Sequence, residues 1–148
     1  MIQRKQSLWL LISAIISLGI FFSSYGIQHV NDDLSGTMTQ LNARQNSILM
    51  GSTIFNVVFT LFIIFQFKQR TKQITLCWVA IILQVINLCY MLYDAQLSDP
   101  TKKLVVGVLG PDLYLGILLP VLSILFIGLA IMGIKADEKL IRDSDRLR

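Results

Sequence analysis

Four long stretches of the chain contain no Asp, Glu, Lys or Arg, and the charged residues are confined to the segments between them. Each stretch has the roughly 20 residues that a helix needs to cross about 30 Å of hydrocarbon. The stretches lack the strict apolar–polar alternation of barrel strands, and backbone groups in hydrocarbon must bond within their own segment. We therefore predict an all-α, integral membrane four-helix bundle in a single domain over 1–148. Its helices are expected at about 7–27, 48–67, 74–93 and 113–134.

The basic residues are distributed unequally between the two sides of this predicted bundle. Ten of the thirteen Lys and Arg residues fall in the N-terminal segment, the hairpin at 68–73 and the tail at 135–148. Short loops that are rich in Lys and Arg remain in the cytoplasm. We expect a multi-pass protein of the cell inner (plasma) membrane with both termini cytoplasmic. The first helix is expected to be retained, because its apolar run is longer than a signal-peptide core.

Composition agrees with a membrane protein. Hydrophobic residues make up 54% of the chain and charged residues 15%, with a mean hydropathy of +0.65. A soluble domain carries about 25% charged residues. These values exclude a disordered chain, a disulfide scaffold and a soluble nucleic-acid-binding domain. The pI near 9.3 is explained by anchoring beside an anionic leaflet, so the expected partner is the lipid bilayer and not nucleic acid.

Two stripes of polar residues follow the second and third predicted helices. Ser52, Asn56 and Thr60 recur every four residues on one helix, and Gln84 and Asn87 share a face of the next. The amides of residues 56 and 84 each lie 12 residues from the hairpin, or about 18 Å by helical rise. We expect the Asn56 side chain to hydrogen-bond Gln84 or Asn87. The favoured interpretation is contact between helices, and the alternative is a polar lining for a small molecule or lipid.

Small residues and a proline indicate how the other helices pack. Ser13 and Ser17 form a small-xxx-small pair on the first helix. Pro120 lies inside the predicted fourth helix, where a missing amide donor favours a kink. Self-association into a homo-oligomer through the serine pair or Gly128 is left open.

The sequence argues against most catalytic, metal-binding and redox functions. Cys77 and Cys89 are 12 residues apart on one predicted helix, or about 18 Å, which is too far for a disulfide. His29 stands alone, so no metal or haem ligand set is predicted, and no catalytic or nucleotide-binding motif is present. The absence of carboxylate and amine side chains inside the predicted helices argues against proton-coupled transport. Loop acids, Asp94 among them, are interpreted as solvated charges. We expect no enzyme and no cofactor.

The tail KADEKLIRDSDRLR is predicted to extend the fourth helix as a short amphipathic segment. The first residues MIQRKQS and the last residues DEKLIRDSDRLR resemble a family of small four-pass bacterial inner-membrane proteins classed as a domain of unknown function. The resemblance implies a fold and a compartment, supplies no activity, and suggests that a shared role resides at the cytoplasmic ends. We expect Arg4 to pair with Asp137 or Glu138 and close the bundle. The candidate residues for closing the bundle or for partner contacts are Arg4, Asp137, Glu138, Arg142, Asp145 and Arg146.

Three functions remain. The leading hypothesis is a non-enzymatic structural or accessory membrane protein that contacts a protein partner through its tail or outer loops. The second is a small-molecule or lipid-binding protein that uses the stripe of Asn56, Gln84 and Asn87. The third and weakest is a membrane enzyme that uses acids of the outer loops.

Overall fold

The structure is a computed structural model that describes residues 3–30, 37–67, 69–97, 101–109 and 112–146. Only the backbone is described for 3–5, 29–30, 37–38, 108–109, 112–114 and 141–146. The described chain forms four helices, α1 (Gln3–Gly19), α2 (Ser47–Phe65), α3 (Arg70–Gln96) and α4 (Leu118–Arg146). Its strands are β1 (Ser24–Val30), β2 (Thr37–Asn42), β3 (Lys102–Leu104), β4 (Gly107–Leu109) and β5 (Asp112–Tyr114).

Three helices are long and apolar enough to cross a membrane, namely Ser47–Phe65, Arg70–Gln96 and Leu118–Leu140. The apolar part of α1, Gln6–Gly19, is shorter. All four carry large apolar side chains outward, and the exposed fractions of Phe62, Ile86 and Leu125 lie between 51% and 59%. A continuous apolar outer surface of this kind is unfavourable in water and suits contact with lipid.

Each helix packs against two others: α1 and α3 both lie against α2 and α4. The neighbours run antiparallel. On α2 and α3, Asn87 meets Thr53 while Gln73 meets Ile63. On α1 and α4, Gln6 bonds Asp137 while Ser13 bonds Ser123. One apolar cluster, which includes Leu10, Ile63, Ala80 and Ile127, fills the space between the helices.

The strands form a small β-structured region at one end of the helices. The prediction of four helices is therefore confirmed, but the fold is not all-α. β1 is the central strand of a three-stranded antiparallel sheet with the order β2-β1-β3, and β4 pairs with β5. A second apolar cluster lies beneath this sheet and includes Ile20, Tyr25, Leu41 and Met91. The described parts of the two segments that connect the predicted helices at this end are therefore folded onto the helix ends.

The first predicted helix is too long at its C-terminal end. α1 ends at Gly19, and residues 20–23 turn into β1. Ile20 is buried beneath the sheet, and Tyr25 and Ile27 are buried residues of β1 itself, so this uncharged part of the chain packs against protein. Segments buried in protein and segments buried in lipid both lack charged residues. For this reason the first helix was predicted to extend too far.

The fourth helix begins later than expected and continues through the predicted tail. It starts at Leu118, so Pro120 lies in its first turn, where backbone N–H groups have no partner within the helix in any case. The physical cause for the predicted kink at Pro120 is therefore absent. At the other end the helix continues to Arg146, and the predicted amphipathic tail forms its last turns. The bounds of α2 lie within two residues of the prediction, and α3 is longer than predicted at both ends.

Candidate functional site

A polar pocket lies between the sheet and the adjoining ends of α2 and α3. Its volume is about 460 Å³. We call it the sheet pocket, and its lining residues are Tyr25, Gln28, Leu41, Gln45, Asn46, Ser47, Ile48, Asp94 and Lys102. Strand β1 supplies the tyrosine, the last turn of α3 supplies the carboxylate, and β3 supplies the amine.

Asp94 is the centre of this pocket's polar network. Its side chain accepts hydrogen bonds from Tyr25 Oη at 2.7 Å and from Asn46 Nδ2 at 3.4 Å, and Lys102 Nζ forms a salt bridge with it at 3.1 Å. Asp94 is 7% exposed. The interpretation of Asp94 as a solvated loop charge is therefore wrong, because α3 continues past it and the sheet covers it. A buried carboxylate is tolerated only when donors of this kind surround it.

Tyr25 connects the sheet to this network. The ring is 1% exposed, and burial is the main cause that raises the pKa of its phenol well above the ordinary value of about 10. The hydrogen bond to Asp94 and the carboxylate's charge raise the pKa further. Tyr25 is therefore a neutral donor at physiological pH, and its role is to position Asp94.

Asn46 links the start of α2 to α3. Its side-chain oxygen accepts a bond from Ile48 N at 3.1 Å and so caps the helix, and Tyr90 Oη donates to the same oxygen at 3.3 Å. Its side-chain nitrogen donates to Asp94. An N-cap residue stabilises a helix by about 1 kcal/mol. Here the cap also fixes the wall of the pocket, which carries the positive end of the α2 dipole.

The site's groups can bind and orient a polar ligand. The pocket places one carboxylate, one ammonium group and one helix N-terminus around a single space. Across the described part of the chain, no three His, Cys, Asp or Glu side chains come together as a metal site would require. Asp32 and Asp99, which the enzyme hypothesis would add to this pocket, lie outside the described residues.

The predicted contact between Asn56 and the amides of α3 is not formed. Asn87 donates to Thr53 Oγ1 at 3.2 Å and accepts from Ser52 Oγ at 3.1 Å, and Gln84 donates to Ser17 Oγ at 3.4 Å. No hydrogen bond among the described side chains joins Asn56 to either amide. The reason is that hydroxyl groups on α2 and α1 lie within reach of both amides.

The members of the predicted stripes are nevertheless all buried or half-buried between helices. Asn56 is 4% exposed and lines a second pocket, of about 130 Å³, between α2 and α3. We call this pocket the helix groove, and Asn87 also lines it. Thr60 is buried and bonds the carbonyl oxygen of Asn56 on its own helix.

Ser13, Ser17 and Ser123 form a serine cluster at the contact between α1 and α4. Ser123 Oγ lies 2.7 Å from Ser13 Oγ and 2.9 Å from Ser17 Oγ, and all three residues are at most 2% exposed. The small-xxx-small pair of α1 is thus used within the chain and is not available to a second copy. Gly128 has no neighbour within 4 Å of the place where a Cβ would lie.

At the opposite end of the helices, Gln6 donates a hydrogen bond to Asp137. Both side chains are 7% exposed, and the bond joins the start of α1 to α4. The predicted partner of Asp137, Arg4, has a side chain outside the described residues. The side chains of Arg142, Asp145 and Arg146 also lie outside them, and Glu138 is half-buried.

Sequence reasoning missed Tyr25, Asn46 and Lys102 as site residues. One signal was present: Asp94 directly follows an uncharged stretch that ends in Tyr93, so its carboxylate had to leave the apolar layer or find donors. Another was the Asn46-Ser47 pair before an apolar run, which is typical of an N-cap. Neither signal identifies the strand that supplies Tyr25.

Comparisons with known proteins place the chain by family only. No curated protein and no solved structure matches it. A family model described as "Domain of unknown function (DUF4293)" matches residues 2–147. The match spans all four helices and both groups of strands, and it confirms the resemblance to a family of unknown function. The chain belongs to the DUF4293 family.

Proposed function

We propose that this chain is an integral protein of the cell inner membrane with an accessory, non-enzymatic role performed through contact with a protein partner. The observation that carries the proposal is that buried polar side chains between the helices form hydrogen bonds with one another. The serine cluster bonds within itself, and Gln84 bonds to it. Networks of this kind hold helices together, and these contain no titratable group that could carry a proton or a cation.

The surface proposed for partner contact is the α4 extension, residues 135–146. Its last six residues, 141–146, extend about 9 Å beyond Leu140, where the candidate membrane span ends. Lys135 and Lys139 are exposed, and Leu140 is 58% exposed. An apolar side chain on a charged, rigid helix suits docking onto a partner at the membrane surface.

Truncation tests this proposal without disturbing the helix contacts. Deleting residues 139–148 removes Lys139 and Leu140 from this surface and leaves Asp137 and its bond with Gln6 intact. We expect the truncated chain to remain in the membrane fraction and to lose the protein crosslinks that the full chain forms in native membranes. The matched control is Lys103→Gln, an exposed position at the other end of the helices, which should keep the crosslinks. An unchanged crosslink pattern after truncation would refute the proposed contact surface.

A second candidate function is binding of a small molecule or lipid. Ligand pockets measure about 300–1,000 Å³, so the sheet pocket has a suitable size and the helix groove is too small to enclose a ligand by itself. The structure therefore favours the sheet end over the stripe of Asn56, Gln84 and Asn87 as the place for such a ligand.

A further inference from the structure

The sheet pocket and the helix groove adjoin each other at Ile48. This residue lines both recesses, because it lies in the first turn of α2, at the boundary between the sheet region and the helices. Asn46 and Tyr90 also connect the two recesses, since their side chains bond each other and each lines one of them. The two recesses therefore follow each other along the first turns of α2, and we call this pair of neighbouring recesses the path.

The two parts of this path differ in polarity. The sheet pocket presents the Asp94–Lys102 pair. The surface of the helix groove is almost entirely apolar, with Phe55, Leu83 and Ile86 among its lining residues. The amide of Asn87 in this groove is already bonded to α2. The path thus changes from charged to apolar within the first turns of α2.

This polarity change coincides with the start of a candidate membrane span. The span begins at Ser47, and the groove runs along α2 from Ile48 to Asn56, a distance of about 12 Å. An amphiphile in the adjoining leaflet would have its polar group beside the sheet and its chain beside α2. A diffusible polar ligand would occupy the sheet pocket alone and would leave the helix groove empty.

The charges of the sheet pocket select the kind of headgroup. An anion alone would face the carboxylate of Asp94, and a cation alone would face the ammonium of Lys102. A headgroup that carries both charges avoids either repulsion. Its phosphate would contact Lys102 and the N-terminus of α2, where anions are favoured, and its primary ammonium would donate to Asp94.

We propose that the sheet pocket and the helix groove together bind one zwitterionic aminophospholipid, with the phosphoethanolamine headgroup in the pocket and an acyl chain in the groove. This inference rests on one part of the proposed function, namely the insertion of the chain in the membrane. It does not depend on a protein partner at the α4 extension.

The test measures lipid binding to the purified full chain in detergent by native mass spectrometry. The probes are phosphatidylethanolamine, phosphatidylcholine and phosphatidylglycerol with identical acyl chains. We expect phosphatidylethanolamine to bind most tightly, because the trimethylated headgroup cannot donate a hydrogen bond to Asp94 and the glycerol headgroup has no ammonium. Loss of one charge-assisted bond corresponds to about a ten-fold weaker affinity.

Two pairs of variants locate the site. Ile48→Trp should obstruct the junction of the two recesses and weaken phosphatidylethanolamine binding about ten-fold, whereas Ile54→Trp, on the same helix but outside both recesses, should leave binding unchanged. Lys102→Gln should weaken binding, and Lys103→Gln, an exposed neighbour on the same strand, should not.

The outcomes separate this inference from the proposed function. Equal binding of the three lipids, tighter binding of phosphatidylglycerol, or equal effects within either pair of variants would overturn the lipid site. Those results would leave membrane insertion intact. Release of the wild-type chain from membranes by alkaline carbonate would instead refute the proposed function, and with it the basis of the lipid site.

Discussion

Tyr25 donates a 2.7 Å hydrogen bond to Asp94, and this bond joins the central strand of the sheet to the last turn of α3. The two residues are 69 positions apart in the chain. Lys102 and Asn46 also donate to Asp94, from two further elements. One buried carboxylate therefore holds the sheet, α2 and α3 in a fixed arrangement.

Removing the tyrosine hydroxyl tests this relationship. Tyr25→Phe keeps the buried ring and deprives Asp94 of one donor, so we expect a destabilisation of about 1–3 kcal/mol. Thermal unfolding of the detergent-purified chain, followed by circular dichroism, measures the change. Tyr93→Phe is the matched control, because Tyr93 is 54% exposed, and it should have little effect. Equal stability of the two variants would contradict the role given to this bond.

The raised pKa of Tyr25 predicts a dependence of stability on alkaline pH. The folded pKa lies above the unfolded value of about 10, so the folded state holds the phenolic proton more tightly. The contribution of Tyr25 is complete below pH 10 and is lost as the pH rises towards the folded pKa.

Unfolding free energies between pH 8 and 11 measure this effect. Above pH 10, the wild-type chain should lose stability more steeply than Tyr25→Phe, by up to about 1.4 kcal/mol per pH unit. Parallel pH profiles of the two chains would show that Tyr25 ionises in the folded protein as easily as in the unfolded one.

Close packing against the sheet predicts that Gly116 does not tolerate a side chain. A Cβ at this position would lie 2.7 Å from Tyr25 Cβ and 3.0 Å from the carbonyl oxygen of Ser24. Gly116→Ala should therefore cost about 1–3 kcal/mol, because the sheet must shift. Gly128→Ala has open space and should gain up to about 1 kcal/mol from helix propensity. This packing would be contradicted if unfolding measurements found both variants more stable than the wild type, or both less stable.

The serine cluster predicts a cost for substitution at the contact between α1 and α4. Ser123→Ala removes the hydroxyl that Ser13 and Ser17 share, and bonds between helices in membranes are worth about 0.6–2 kcal/mol. Thr75→Ala is the control, because Thr75 is exposed and its hydroxyl bonds only its own helix. A loss of stability no greater than that of the control would show that the cluster does not hold the helices together.

The stretches without charged residues predicted the helices, because hydrocarbon excludes charged side chains. This argument holds for α2 and for most of α3. It fails at the end of the first stretch, where Tyr25 and Ile27 are uncharged because they are buried residues of β1. The strands themselves are short, and β3 has three residues. A segment of that length carries no periodic signal, because its pairing is decided by β1, which lies far away in the chain.

The candidate site was less predictable than the helices. Equal depth placed Asn56 near the α3 amides, but depth alone does not specify the direction of a side chain, and Gln84 turns to Ser17 on α1. Asp94 gains its importance from Tyr25 and Lys102, which reach it only after the strands have paired. A site assembled from four separate elements becomes visible only in the folded chain.

We propose, from the distribution of Lys and Arg along the chain, that it crosses the inner membrane with its sheet outside and both termini in the cytoplasm. The direct measurement is labelling of Lys103→Cys and Lys139→Cys with a membrane-impermeant maleimide in intact and permeabilised cells, with the wild-type chain as the background for Cys77 and Cys89. Both substituted positions are exposed, one on β3 and one on the α4 extension. We predict labelling of Lys103→Cys in intact cells and of Lys139→Cys only after permeabilisation. The reverse pattern, or equal labelling of both positions in intact cells, would contradict it.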